Sequence, residues 1–143
     1  MIALDTNVLV AAHRSDSPFY GPAAARVRQL AEGAAPWGLP WPCLHEFFSV
    51  VTHPRIYDPP SATGQAISQL EAWLESPSAV LLSEGRGYWP QLRGLLADGR
   101  ITGPGVHDAR IAALCLAHGV RELWTADRDF SRFPRLRTVN PLV

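Results

Sequence analysis

Four carboxylates stand where an α/β chain concentrates its chemistry: Asp5, Glu46, Asp108 and Asp127. Asp5 directly follows the short apolar run Ile2-Ala3-Leu4, and Asp127 follows Glu122-Leu123-Trp124 across Thr125-Ala126. Apolar runs without polar alternation are what strands buried on both faces look like, and residues just beyond two parallel strands emerge at the same sheet edge. If those strands are neighbours at the switch point, both acids enter one crevice. Asp108 opens an apolar helix that feeds the strand before Asp127, so it belongs to that edge too. Glu46 lies among Leu44, Phe47, Phe48, Val50 and Val51, with no Lys or Arg within a helical turn. Glutamates in such surroundings are usually paired or bound to a metal.

Convergence of these groups has an electrostatic consequence. Two like charges about 4 Å apart repel by about 4 kcal/mol even at an effective dielectric near 20. Either protons or a cation must offset that. Oxygen-only donors without His or Cys ligand spacing favour Mg²⁺ or Mn²⁺ over zinc. Such an ion lowers the pKa of water, polarises a phosphoryl oxygen and shields a leaving oxygen, which is what phosphodiester hydrolysis requires. The bland alternatives are an N-cap for Asp5, a first-turn acid complementing the helix dipole for Asp108, and an outward-facing Glu46 beside His45.

The elements that must position these residues follow from periodicity and punctuation. A strand over Ile2–Leu4 leads into a helix begun by Val8-Leu9-Val10 and capped by Asp5 or Thr6. Pro22 starts a helix through Ala23, Val27 and Leu30 that Gly33 stops, and a second strand over 37–41 is broken by Pro40. Pro42 opens a helix over 43–52 carrying Glu46. Ser61 is a plausible cap for the stripe Ile67, Leu70, Trp73 and Leu74, and Ala79–Leu82 reads as a third buried strand. A helix over 88–97, the loop Gly103-Pro104-Gly105, a helix over 109–117 stopped by Gly119, a strand over Glu122–Trp124 and a last strand over 138–140 complete the chain. Strands alternating with helices predict an α/β fold with a central parallel β-sheet covered on both sides.

At 143 residues, 47% hydrophobic and 18% charged, the chain suits a single domain over 1–143. It has no membrane-length apolar run and no visible secretory signal, which points to the cytoplasm and no membrane partner. Cys43 and Cys115 sit in apolar helical patterns and read as small buried hydrophobes. Zero formal net charge argues against a broad nucleic-acid-coating surface, yet all 13 basic residues are arginine, each a planar fork suited to phosphate. His45-Glu46 starts like a zinc-protease motif, but Ser49 occupies its second histidine position. No P-loop or GxSxG element is present.

The chain resembles PIN-domain ribonucleases of the VapC toxin family in LDTN at Leu4 to Asn7, the helical Glu46, HDARIAA at His107 to Ala113 and TADRDF at Thr125 to Phe130. Each element is short, but the four occur in the family's order and span almost the whole chain. The resemblance implies a three-layer α/β/α PIN-like fold, dependence on Mg²⁺ or Mn²⁺, endonucleolytic cleavage of RNA, a homodimer, and inhibition by a cognate VapB-like antitoxin. Carried over by motif, Asp5, Glu46, Asp108 and Asp127 form the acidic quartet, with Asp5 and Asp108 foremost as direct ligands. Thr6, Asn7 and Thr125 would orient these carboxylates, and Asp129 is an additional acid. His107 stands where the family more often has Asn, which bears on a neighbouring contact. Arg14, Arg128, Arg132, Arg135 and Arg137 are available for RNA phosphates, Arg14 and Arg128 foremost, although surface charge balance explains most such arginines.

Competing classes separate on specific features. A receiver-like signalling module would need a lysine after a late strand, and the chain has none. A non-catalytic PIN-like scaffold would not need all four acids. A PIN nuclease of RNA maturation differs from a toxin in genetic context, since a toxin is paired with a small DNA-binding antitoxin.

Overall fold

A computed structural model describes all residues from Met1 to Val143. Five parallel strands form one sheet in the order β3-β2-β1-β4-β5: β1 (Ile2–Leu4), β2 (Trp37–Pro40), β3 (Ala79–Leu82), β4 (Glu122–Trp124) and β5 (Thr138–Val139). Between them run α1 (Thr6–His13), α2 (Tyr20–Glu32), α3 (Trp41–Val51), α4 (Thr63–Leu74), α5 (Tyr88–Asp98) and α6 (Gly105–Ala117), with a 3₁₀ turn over Arg128–Arg132. The right-handed rule for parallel crossovers predicts α1 to α4 on one face, because the chain steps outward from β1 to β3. The return from β3 to β4 places α5 and α6 on the other. In accord with this, α1 packs on α2 and α3, α3 on α4, and α5 on α6.

The strand order reverses between β1 and β4, whose registers pair Ile2 with Glu122, Ala3 with Leu123 and Leu4 with Trp124. That is the switch point at which open parallel sheets bind ligands. β1 is the central strand, and Ala3 and Leu4 are fully buried. Gly38 on β2 lies so close to β1 and β3 that a Cβ there would stand 3.2 Å from both Ala3 Cβ and Leu82 Cδ1. A side chain at this position would force the neighbouring strands to give.

Several boundaries differ from expectation. β3 is an edge strand paired only with β2, so Leu81 is exposed and only Leu82 is fully buried. β2 ends at Pro40, which caps α3, and Trp41 is already helical. Ser61 does not cap α4. Ala62 takes that place, its N–H donating to Gln65 Oε1, while the Ser61 hydroxyl meets His13 Nε2 at 2.9 Å and accepts from Arg14. On α4 it is Ala66 and Trp73 that are buried, whereas Ile67 and Leu74 remain exposed. α6 starts at Gly105, four residues earlier than the sequence indicates, so Asp108 lies inside its first turn.

The orientation of α3 rests on Phe47. Its fully buried ring meets Trp73 edge-on at 4.9 Å and His13 at 5.2 Å, joining α3 to α4 and α1. Phe47→Ala is expected to cost about 3–5 kcal/mol, read as a lower urea midpoint. A loss below about 1 kcal/mol would mean that α3 is held by other contacts.

Candidate active site

Asp5, Glu46, Asp108 and Asp127 all line one cavity of about 420 Å³ at the carboxyl edge of β1 and β4. Thr6, Asn7, Val10 and Ala11 from α1, Val50 from α3 and Ile111 from α6 line it too. The polar wall is built around Asp5, which is 5% exposed. Its Oδ1 accepts from the Thr6 N–H at 2.8 Å and the Cys43 thiol at 3.6 Å, and its Oδ2 from Thr125 Oγ1 at 2.7 Å and Asn7 Nδ2 at 3.0 Å. Asp5 is therefore both the cap of α1 and part of the cavity wall, so capping does not take its carboxylate out of the cavity.

Thr125 ties β1 to β4. Its hydroxyl donates to Asp5 and accepts from Asn7 Nδ2 at 3.1 Å and the Asp127 N–H at 2.9 Å, which uses one donor and both lone pairs. Asn7 closes the circuit by accepting from the Ala126 N–H at 2.9 Å. Thr6 donates its hydroxyl to Glu46 Oε2 at 3.3 Å. Thus Thr6, Asn7 and Thr125 each hold at least one carboxylate of the quartet.

Glu46 reaches the cavity differently from what its apolar neighbours imply. It is exposed, whereas Cys43, Leu44, Phe47 and Val51 point into the core. At about 100° per residue, the face next to Phe47 turns toward the rim, and Glu46 and Val50, one turn apart, both line the cavity. Burial is therefore not what marks Glu46; its position opposite Thr6 is.

One carboxylate oxygen each from Asp108, Asp127 and Asp129 lies within 4.8 Å of the other two. Asp127 also caps the 3₁₀ turn, accepting from the Asp129 N–H at 2.8 Å. Asp129, expected only as an additional acid, thus stands with Asp108 and Asp127, while Asp5 and Glu46 complete the cavity wall. A cluster of oxygen donors with no His or Cys among them fits a hard divalent ion.

Burial pushes the Asp5 carboxyl above its usual range against the pull of the Thr125, Thr6 and Cys43 hydrogen bonds, with the Glu46 charge adding to the rise. Asp108 is also raised, by desolvation first and the Asp127 charge next, with Arg132 opposing. Protonation of both groups therefore favours the folded state. That contribution is fully present below the unfolded pKa of about 3.9 and is lost as pH rises through the raised folded values. In chelator, the melting temperature of the wild type minus that of Asp108→Asn is expected to decline across that window. A difference that stays constant or grows with pH would contradict the assigned strain.

Of the five candidate arginines, Arg14 does not reach this cavity. Its guanidinium grips Asp16 at 2.6 Å, Ser61 and the Pro59 carbonyl, and stacks over Tyr57 at 4.2 Å. Arg135 donates to Gln91, Arg137 pairs with Glu122, and Arg132 pairs with Asp108 at 3.0 Å. Arg128 is exposed beside Asp127. His107 is exposed and lines a neighbouring groove with His45, Glu46 and Arg110. Ser17, Phe19, Tyr57 and Leu142 also line the acidic cavity. They escape sequence reasoning because each comes from a loop or the chain end, where no periodicity marks a direction. Cys43 has such a signal: it precedes Glu46 by one turn of α3.

The PIN domain family model matches residues 2–136. This chain belongs to the PIN domain family. The PIN domain is 37% identical over 142 residues to Ribonuclease VapC43 of Mycobacterium tuberculosis, covering 99% of this chain and 96% of that one. To Ribonuclease VapC48 of the same species it is 33% identical over 137 residues, covering 96% and 94%. Among solved structures, the PIN domain superposes with a TM-score of 0.66 on VapBC2 from Rickettsia felis, bound to a DNA fragment from its promoter, at 23% identity over 98% of both chains. The last comparison bears on the fold alone. No helix is long and apolar enough to cross a membrane.

Proposed function

We propose that this PIN domain is a metal-dependent endoribonuclease, the toxin of a type II toxin–antitoxin pair, acting on RNA phosphodiester bonds and restrained by a VapB-like antitoxin. The observation that carries this is the meeting of Asp5, Glu46, Asp108 and Asp127 in one cavity at the switch point. Its VapC relatives bear the name ribonuclease, which supports this reading, and the name of the similarly folded VapBC2 suggests the antitoxin as partner. A homodimer belongs to the same proposal.

Asp5, Asp108, Asp127 and Glu46 would hold Mg²⁺ or Mn²⁺, with Asp129 adding its charge. Bound there, the ion would supply Lewis acidity toward a phosphoryl oxygen and lower the pKa of a bound water toward neutrality. Thr125, Asn7 and Thr6 keep the carboxylates aimed, so their reorganisation is not required during the reaction. Water would attack phosphorus in line as the bond from phosphorus to the leaving ribose oxygen breaks, the proton lost by water balancing the one gained by the leaving oxygen, and no bond to the chain would form.

The test is incubation of purified, antitoxin-free protein with total cellular RNA in Mn²⁺, in Mg²⁺ and in chelator, beside Asp108→Asn. Discrete fragments that need the metal and are absent from the variant support a ribonuclease. Intact RNA from a folded, metal-binding protein would favour the scaffold class.

A further inference from the structure

Arg132 is the only cation paired with an acid of the quartet. Its Nη2 donates to Asp108 Oδ2 at 3.0 Å and its Nε to the Asp129 carbonyl at 3.1 Å, and its guanidinium lies 5.7 Å from the Phe133 ring centroid. The backbone makes room for it: a Cβ on Gly105 would stand 3.1 Å from Arg132 Nη1 and 2.9 Å from Ile101 Cγ2. Beside the first turn of α6, however, a cation opposes the helix dipole. The Asp108 carboxylate and the Asp129 carbonyl, not the helix, therefore hold Arg132 in place, and Asp108 is one of the three acids that each bring a carboxylate oxygen within 4.8 Å of the others. A divalent ion and the guanidinium compete for Asp108.

Arg132 also has somewhere to go. Its side chain is 40% exposed, and a planar fork released from one carboxylate matches the paired oxygens of a phosphodiester. We infer that Arg132 is shared between Asp108 and the substrate: it neutralises Asp108 while no divalent ion is bound and turns to an RNA phosphate when one binds. This rests on the ribonuclease proposal above. Arg135 and Arg137 have partners outside the acidic cluster, so their release is not coupled to metal binding.

Exchange has a signature that a structural role lacks, because removing the guanidinium acts in opposite directions on metal and on RNA. Calorimetric titration of Mn²⁺ without RNA would compare wild type, Arg132→Gln and Arg132→Lys. Arg132→Gln is expected to bind Mn²⁺ about threefold to tenfold more tightly, since a like charge beside the ion is gone, and Arg132→Lys to stay near wild type. At saturating Mn²⁺, the initial rate of total-RNA cleavage by Arg132→Gln is expected to fall about tenfold. Unchanged or weaker Mn²⁺ binding by Arg132→Gln overturns the competition, and an undiminished cleavage rate overturns the phosphate contact. If the wild type cuts no RNA, the ribonuclease proposal and the phosphate contact fall together, while the calorimetry still decides the competition.

Discussion

Asp108→Asn is expected to lower metal-dependent RNA cleavage by about 10²-fold to 10³-fold, the order lost when one preorganised electrostatic group at a reacting centre is removed. The substitution is nearly isosteric. Asp108 is only partly buried, and its one side-chain partner is Arg132, which remains free to turn to solvent. The folded state should therefore survive, and circular dichroism with a melting curve would check it. Asp108 shares a cluster with Asp127 and Asp129, one carboxylate oxygen of each lying within 4.8 Å of the others, so its loss also weakens the hold of the group as a whole on a cation. Asp5→Asn should abolish cleavage as well, but with a stability loss of about 1 kcal/mol, since an amide cannot accept on both sides as the carboxylate does. A fully active Asp108→Asn protein would remove the candidate site from consideration.

Thr125→Val should lower cleavage about 10-fold to 100-fold, with a smaller change in Mn²⁺ affinity than Asp108→Asn produces. Valine keeps the branched shape and removes the hydroxyl alone. Asp5 Oδ2 then loses its shortest hydrogen bond, and the Asp127 N–H loses its acceptor. Thr125 is 3% exposed, so water cannot replace the hydroxyl without rearrangement. A stability loss of about 1–3 kcal/mol is expected from the groups left unpaired. Thr125→Ser retains the hydroxyl and should recover most of the activity, whereas a merely steric role would make serine the worse variant. Equal activity of the Val and Ser variants would show that the hydroxyl does not position Asp5 for the reaction.

Sequence alone was informative where local rules act. Ile2–Leu4 and Glu122–Trp124 are strands because short, mostly apolar runs followed by a polar, acid-bearing turn have few other uses, and both match the structure. Asp5 and Asp127 were legible as sheet-edge acids because strand direction in an alternating α/β chain determines which end they leave. Asp108 falls at the same edge whether its helix starts at Gly105 or at Ala109, since either boundary leaves it near the helix N-terminus.

Other features depended on packing. β3 reads as buried but lies at the edge, because apolarity does not report how many neighbours a strand has. Glu46 enters the cavity from an exposed helix face, and only the anchoring of Phe47 against Trp73 and His13 determines that rotation. The thiol of Cys43, the hydroxyl of Thr125 and the amide of Asn7 converge on Asp5 from residues 38, 120 and 2 positions away in the chain. Residue types and local spacing thus determined the strands, the sheet edge and the acids. Tertiary structure decided their mutual distances, the pairing of Arg132 with Asp108 and the loop residues that close the cavity. The physical reason is range: propensity and periodicity act over a few residues, whereas side chains converge only after distant elements have packed.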